Sequence, residues 1–541
     1  MLWLLLPLIA GIWLARFVGP VEAIVLLGSA VGAILAGALA PQRNRLAVFL
    51  WAGALLAAAT LAGWAYASVR TPPYPAEWEA LPAREVFVTL EVKRLFRASD
   101  RFGYASGIAE IVEADFPVDD LRGTTTAFYL KPEDPALVPG RGGRYTIRGV
   151  LRFLNPAADL RDFDRYLVDT GVYFSVRQGR LLSEEVSSPW HWRTADALRA
   201  TLVQALLRDR PDSGEAEILA AMFLGQRSLL TREQRDDFNA SGTLHLFAIS
   251  GLHVATVALL LNLFLTAFRL PRWGRASVGL AVLLSYVFVT GASPSAWRAF
   301  AMVGFVWTAA LFPRPSNTFA ALVASALVVL LFAPNQLFTA GFQLSYAVVA
   351  MLILYGAPLA DATRRWADRT LAPESETTTR PRLTRLRFDA LREVFRLVAF
   401  SFAAWLASAP LVAHYFGILT PWSLFLNAFL IGLGGLAVAA AATASLAALT
   451  QFTWLATHFA HGGWVIVGLM AALVQGYLWI PGSSFAVGWR ADGLPFVTTW
   501  AMLGYAFLAA QPGLAAKLGR LRWWGPAVIG LAGLASGLKF L

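Results

Sequence analysis

Apolar runs of about 17 to 25 residues, the length a helix needs to cross the hydrocarbon core of a bilayer, recur along this sequence from end to end. Three come first, near 1–17, 21–40 and 46–68. A long polar interval then extends to about residue 195. A second set lies near 244–268, 276–292, 296–312, 317–333, 336–358, 396–416, 422–448, 453–480, 496–511 and 524–541. The pattern predicts a polytopic α-helical membrane protein with about 13 transmembrane helices. Composition agrees: of 541 residues 57% are hydrophobic and only 15% charged, with a mean hydropathy of +0.57, which does not suit a soluble fold.

The opening stretch "MLWLLLPLIAGIWLARF" lacks a basic leader and a small-residue cleavage site, so it reads as a retained span and not a signal peptide. The net charge of +11 invites a nucleic-acid reading. Membrane proteins, however, gather Lys and Arg in cytoplasmic loops for topological reasons alone. With the N-terminus inside, "PQRNR" (41–45), "RLPRWGR" (269–275), "PRPSN" (313–317), the Arg-rich 361–396 stretch and "KLGRLR" (517–522) all fall on the cytoplasmic side. The same count places 69–195, "TGASPSAW" and "HYFGILTPW" outside. Cysteine is absent, which excludes disulfides, thiolate metal sites and cysteine nucleophiles.

The exterior interval reads as strand. "EVFVTLEV" (85–92) places Val86, Val88, Leu90 and Val92 on one face. "RYTIRGVLRF" (144–153) places Tyr145, Ile147, Leu151 and Phe153 on one face and Arg144, Arg148 and Arg152 on the other. With "FGYASGIAEIVEA", "TTTAFYLK" and "VYFSVRQGRLL" this makes about five strands, the size of an OB-type β-barrel, with a small sandwich as the alternative. The expected organisation is N-terminal transmembrane helices (1–68), an inserted extracytoplasmic OB-like β domain (69–190), amphipathic interfacial helices (191–243) and a helical transmembrane domain (244–541). The interfacial reading rests on helical spacing with both charge signs on one side across 194–240.

"HLFAISGLHVATVALLL" (245–261) is anomalous within this frame, because an apolar run that should be a span carries Ser250, Gly251 and His253. Polar groups at membrane depth are costly, so they mark a polar interior, a pathway or an active site. A histidine that simply bonds a neighbouring helix is the plainer alternative.

The longer stretch "LGQRSLLTREQRDDFNASGTLHLFAISGLHV" (224–254) resembles the signature of the ComEC-type competence proteins, inner-membrane channels for DNA uptake in natural transformation. "PSAWRAFAM" (294–302), "GFQLSYAVVAML" (341–352) and "LFLNAFLIG" (424–432) agree in order, and "LNPAADLRDFDRYLVDTGVYFSV" (154–176) resembles the end of the family's OB-like domain. The resemblance implies a bacterial cytoplasmic-membrane channel that imports single-stranded DNA. Many members continue into a metallo-β-lactamase-like domain proposed to degrade the strand left outside. This chain is expected to be a short form without it: no HxHxDH motif occurs, and the histidines stand at 191, 245, 253, 414, 458 and 461. No enzymatic activity and no cofactor are therefore expected. A separate nuclease, a DNA receptor and a cytoplasmic helicase are the partners implied, besides DNA and membrane lipid, since no nucleotide-binding loop is present.

A conduit for DNA through lipid must offer polar, preferably basic, surface. The candidates in the membrane half are His245, Ser250, Gly251, His253, Arg298, Gln343, Ser345 and Asn427, with His414. Residues eight apart on a helix differ by about 80°, so His245 and His253 are expected to share a broad face, and Gly251 to admit a close neighbouring backbone. Arg298 either meets the DNA backbone or snorkels to the outer interface. In the β domain Arg144, Arg148 and Arg152, with Lys93, Arg94, Arg97 and Arg101, are the candidate DNA-binding residues, against an ordinary solvated sheet face. Two other classes compete. An intramembrane hydrolase would use Ser250 as nucleophile with His253 or His245 as base, but no oxyanion donor and no G-x-S-x-G elbow are identifiable. A transporter of small solutes or lipid precursors would equally need mid-membrane polar groups and broken helices. "HFAH" (458–461) could hold a metal, although helix packing explains it as well.

Overall fold

The computed structural model describes residues 2–39, 45–71, 74–97, 104–115, 119–132, 137–156, 158, 162–208, 214–312, 317–371, 382–519 and 521–540. Most of "PQRNR" and "PRPSN", Arg101 and the side chain of Arg97 lie outside the described residues, as does 372–381. The chain forms two compact units, one of 1–197 with 323–339, the other of 198–322 with 340–541.

The first unit holds the helices Leu2–Phe17, Ala23–Leu39 and Arg45–Arg70 and a five-stranded barrel. Tyr66 donates its hydroxyl to the Leu331 carbonyl, and Arg70 reaches the Phe332 carbonyl at 2.8 Å. The helix Arg45–Arg70 thereby satisfies carbonyl groups at the end of the helix Thr318–Phe332, which are left over there by the helical bonding pattern.

The barrel strands are β1 (Arg84–Arg97), β2 (Ala105–Ala114), β3 (Thr125–Pro132), β4 (Arg144–Phe153) and β5 (Phe174–Val186). They close in the order β1-β2-β3-β5-β4, with β4 returning to β1 and with β3 and β5 parallel. Period-2 alternation creates the interior: Val86, Val88, Leu90 and Val92 of β1 and Tyr145, Ile147 and Leu151 of β4 are all buried with Phe128 and Phe174. Each such buried aliphatic side chain contributes roughly 1.5–3 kcal/mol. The helix Asp162–Asp169, between β4 and β5, lays Leu167 and Val168 over Ala127 and Ile108, covering the outer side of β2 and β3.

In the second unit the helices Ser423–Leu449 and Thr453–Leu478 form an antiparallel hairpin, turned at Gln451 with φ of 62°. Small residues are buried on both, Gly434, Ala437, Ala441 and Ala444 on one and Ala456, Ala460 and Gly463 on the other. Among the described residues five helices are long and apolar enough to cross a membrane: Trp51–Arg70, Ala340–Thr370, Arg387–Phe416, Ser423–Leu449 and Thr453–Leu478. The apolar helices Leu2–Phe17, Gly251–Ala267, Thr318–Phe332 and Leu494–Ala509 are shorter. Two features depart from uniform helix. A π-turn at Leu352–Gly356 interrupts the helix between Ala340 and Leu371. The strands Ile418–Leu419, Phe485–Trp489 and Leu538–Phe540 make a small sheet that the apolar runs hide.

Within 191–243 one helix is not amphipathic. In the helix Gly214–Leu224, Ala216 and every residue from Ile218 to Leu224 are buried, with Leu219 packed on Gly463. A helix buried on all sides has no face to lay on a membrane surface. The acidic pair Glu215 and Glu217, read as part of a polar face, sits in its first turn, where it complements the helix dipole.

Candidate functional site

The signature stretch is built from short pieces joined by capped turns. The helix Arg232–Ala240 starts in a reciprocal cap, with the Gln234 amide donating to the Thr231 hydroxyl at 3.2 Å and the Thr231 amide donating to Gln234 Oε1 at 3.0 Å. It ends at a turn in which Ser241 and Thr243 are fully buried, their hydroxyls 2.7 Å apart and Ser241 Oγ 3.2 Å from the Phe238 carbonyl. Leu244–Phe247 form a 3-10 turn, Ala248 is extended, and Ser250, with φ −101° and ψ 172°, leads into the helix Gly251–Ala267.

Ser250 is therefore the N-cap residue and His253 stands at the third helical position. The Ser250 amide donates to His253 Nδ1 at 3.3 Å, and the Ser250 hydroxyl lies 2.8 Å from the same nitrogen. Because Nδ1 accepts from the Ser250 amide, a neutral ring carries its proton on Nε2. His253 is 1% exposed. The imidazole thus takes the place that Glu or Gln holds in a common capping box, without bringing a charge into the interior.

Two expectations change. His245 and His253 do not share a helix face, because the chain is not helical between Phe247 and Gly251: the serine cap ends the apolar run's apparent continuity. His245 sits on the 3-10 turn, exposed, with Nδ1 3.1 Å from the Gly242 carbonyl. Nor does Gly251 admit a neighbour: a Cβ there would meet nothing within 4 Å. The glycine that does is Gly242, at φ +72°, where a Cβ would stand 2.7 Å from Thr420 Oγ1. Thr420 belongs to a second hydroxyl turn, in which Ser423 Oγ donates to the Thr420 carbonyl at 2.7 Å and Trp405 Nε1 donates to that carbonyl at 3.1 Å. Two capped breaks, 241–250 and 420–423, meet at Gly242.

Arg298 is 3% exposed and donates to the Gly341 carbonyl at 2.8 Å, which overturns the snorkelling alternative. It ties the helix Pro294–Ala309 to the start of the helix Ala340–Met351, the helix that carries Gln343 and Ser345. Gln343 Oε1 accepts from the Tyr415 hydroxyl at 3.0 Å, and Ser345 is half-buried. Asn427 Oδ1 is buried with no hydrogen-bond partner among the described residues. The ring of His414 packs against Tyr415 and Phe496 at 4.8 and 5.0 Å. Exposed His458 stacks on Trp454 and exposed His461 packs on Trp464; among the described residues no group of three metal-ligating side chains occurs.

On the barrel, Arg144, Arg148 and Arg152 do face outward, but cross-strand register commits two of them. Arg148 grips Glu85 with two bonds of 2.7 and 3.1 Å, and Arg144 reaches Glu91 at 3.1 Å. Lys93 bridges Glu91 and Glu110 at 2.6 and 3.0 Å. The Arg148 guanidinium holds the Glu85 carboxyl below its usual range, and Lys93, then Arg144, do so for Glu91. Arg94 donates to the Tyr166 hydroxyl at 2.8 Å and lies over Phe96. Arg152 is exposed, with no ion-pair partner among the described residues.

These features define a helical protein with helices long and apolar enough to cross a membrane, capped breaks within its apolar segments and a β-barrel. The model of the competence protein family matches residues 222–512, more than half of the chain, and the chain belongs to that family, of the ComEC type. It is 38% identical over 144 residues to ComE operon protein 3 of Bacillus subtilis, covering 27% of this chain and 18% of the relative. It is 31% identical over 200 residues to competence protein ComA of Neisseria gonorrhoeae, covering 34% of this chain and 27% of the relative. A third similar protein is the uncharacterized YcaI of Escherichia coli, 26% identical over 184 residues, covering 33% of this chain and 24% of the relative. The matches span little more than a quarter of each relative's length at most. No solved structure matches the chain.

Proposed function

We propose that this chain is a multi-pass protein of the bacterial cytoplasmic membrane, with about 13 spans, that passes single-stranded DNA inward during natural transformation. Membership of the competence family already ties it to DNA uptake. The observation that carries the channel reading is that the family-matched segment contains both capped breaks and every polar residue singled out in the membrane half, from His245 to Asn427. Irregular backbone at membrane depth is stable only where protein buries it or where it lines a water-filled cavity. His245, exposed on the break, is the residue assigned to the passage, with Asn427 beside the second break. Ser250, His253 and Arg298 hold its wall in shape. The chain itself performs no hydrolysis in this reading.

The barrel is the receiving element. Its strand order and its parallel β3–β5 pair support an OB-like domain. Arg152 is an exposed cation on its outer face, while Arg144 and Arg148 come free only when a phosphate displaces a carboxylate. A separate nuclease, a DNA receptor and a cytoplasmic helicase complete the system.

A second reading, transport of small solutes or lipid precursors, is favoured by one observation: breaks in two segments and a π-turn in a third are the architecture of alternating-access carriers. Uptake of labelled DNA by a deletion strain and its complemented parent separates the two. Surface-bound label that no longer reaches the cytoplasm in the deletion supports the channel; undiminished entry leaves the carrier.

A further inference from the structure

A cleft of about 360 Å³ opens where the helices Gly251–Ala267, Arg272–Val289 and Pro294–Ala309 come together at one end. Asn262, Arg272, Arg275, Trp307 and Leu311 line it. Arg275 is held in place by its bond to Thr266 Oγ1 at 2.6 Å, and the Thr266 hydroxyl in turn donates to the Asn262 carbonyl at 2.6 Å. Arg272 is exposed. The floor is Trp307, whose ring lies against the bare backbone of Gly279: a Cβ there would come within 2.3 Å of it.

The stretch is one-sided in charge. Between Asp237 and Asp361 the sequence has no Asp or Glu, while Arg269, Arg272 and Arg275 fall within seven residues of one another. Among the described residues no carboxylate pairs with them. Two arginines converging on a cleft without an internal anion call for an external one, and the guanidinium fork suits phosphate. The rim indicates where that phosphate comes from. Trp273 and Phe312, 61% and 58% exposed, meet edge to face beside the cleft, and Phe268 is 64% exposed. Exposed aromatics beside arginines at the end of apolar helices mark the headgroup level of a membrane.

We propose that this cleft binds the phosphodiester headgroup of an anionic phospholipid, with Arg272 and Arg275 on the phosphate and the acyl chains against Trp273 and Phe312. The site is separate from the proposed passage and stands whether the cargo is DNA or a solute.

The test uses the purified full chain in a neutral detergent, with native mass spectrometry and thermal unfolding as readouts. Phosphatidylglycerol is expected to leave a retained adduct and to raise the midpoint, while phosphatidylcholine does neither. The double variant Arg272→Gln/Arg275→Gln is expected to lose one phosphatidylglycerol adduct and at least tenfold in apparent affinity. Arg272→Lys/Arg275→Lys, which keeps the charge, retains most of the midpoint shift and shows that the cleft still folds. Equal retention of both lipids, or an unchanged adduct count in the glutamine variant, overturns the proposal. Protection by inorganic phosphate equal to that by phosphatidylglycerol also overturns it, in favour of a free-anion site. Displacement of the lipid by a single-stranded oligonucleotide overturns it in favour of a DNA contact.

Discussion

The Ser250 hydroxyl lies 2.8 Å from Nδ1 of His253, so the residues that mark this family's signature are joined to each other across the first turn of a helix. The bond begins the helix where the apolar run suggests continuity. A side chain that accepts at an N-cap contributes about 0.5–2 kcal/mol.

Removing either partner should therefore loosen the break without abolishing the fold. Ser250→Ala and His253→Ala are expected to lower the thermal midpoint of the purified chain by a few degrees, and His253→Gln, which can still accept, to recover most of it. A fluorophosphonate probe is expected to leave Ser250 unlabelled. Labelling at Ser250 that disappears in His253→Ala would make the pair a nucleophile and base.

Gly242 and Gly251 should respond oppositely to the same substitution. Gly242→Ala forces a residue with φ of +72° against Thr420 Oγ1, at an expected cost of about 1–3 kcal/mol. Gly251→Ala adds a methyl group in open space at a first helical position and should be neutral or slightly stabilising. Unfolding midpoints measured side by side decide it, and equal losses would reject the placement of the two turns.

Arg298 is read as an internal tie and not as a DNA contact. Arg298→Ala removes this buried bond between the two helices, so a loss of about 1–3 kcal/mol is expected, visible as reduced membrane level and midpoint. Normal stability combined with weakened, less salt-dependent DNA binding would instead place the guanidinium on phosphate.

The paired barrel face gives a pH signature. Arg148 depresses Glu85, and Lys93 and then Arg144 depress Glu91, so both carboxylates contribute stability above their unfolded values and lose it as pH falls through their folded ones. Between about pH 5 and pH 3 the midpoint should fall more steeply in the parent than in a Glu85→Gln/Glu91→Gln variant. Asp169, raised by burial against the pull of Arg16, works in the opposite sense in that window, so the comparison is between the two proteins and not of either midpoint alone. At neutral pH the same variant releases Arg144 and Arg148 and should bind a labelled single strand more tightly, by fluorescence anisotropy, with a steeper salt dependence.

The strands could be read directly because alternation is local: the run 144–153 is β4, residue for residue, and its arginines face outward as their spacing requires. Their engagement by Glu85 and Glu91 depends on cross-strand register, which no single segment specifies. In the helical half the apolar runs located most helices but concealed their interruptions. Ile249 and Leu252 around the Ser-Gly pair kept hydropathy high while the backbone left the helix, and the cue was the N-cap preference of Ser250. Partners such as the Gly341 carbonyl for Arg298 and the Tyr415 hydroxyl for Gln343 lie far along the chain and leave no local trace. The meeting of the hydroxyl-rich turns at Ser241–Thr243 and Thr420–Ser423 at Gly242 leaves no local trace either.

That the broken signature helix borders the route of DNA can be checked by photo-crosslinking in living cells. A photoreactive residue is placed at His245, and in a second strain at Leu259, which is 58% exposed on the helix that follows. Labelled DNA is supplied and uptake is stalled before illumination. A DNA adduct is expected at position 245, lost when uptake is prevented, and none at 259. Entry of DNA without an adduct at 245, or equal adducts at both positions, would contradict it.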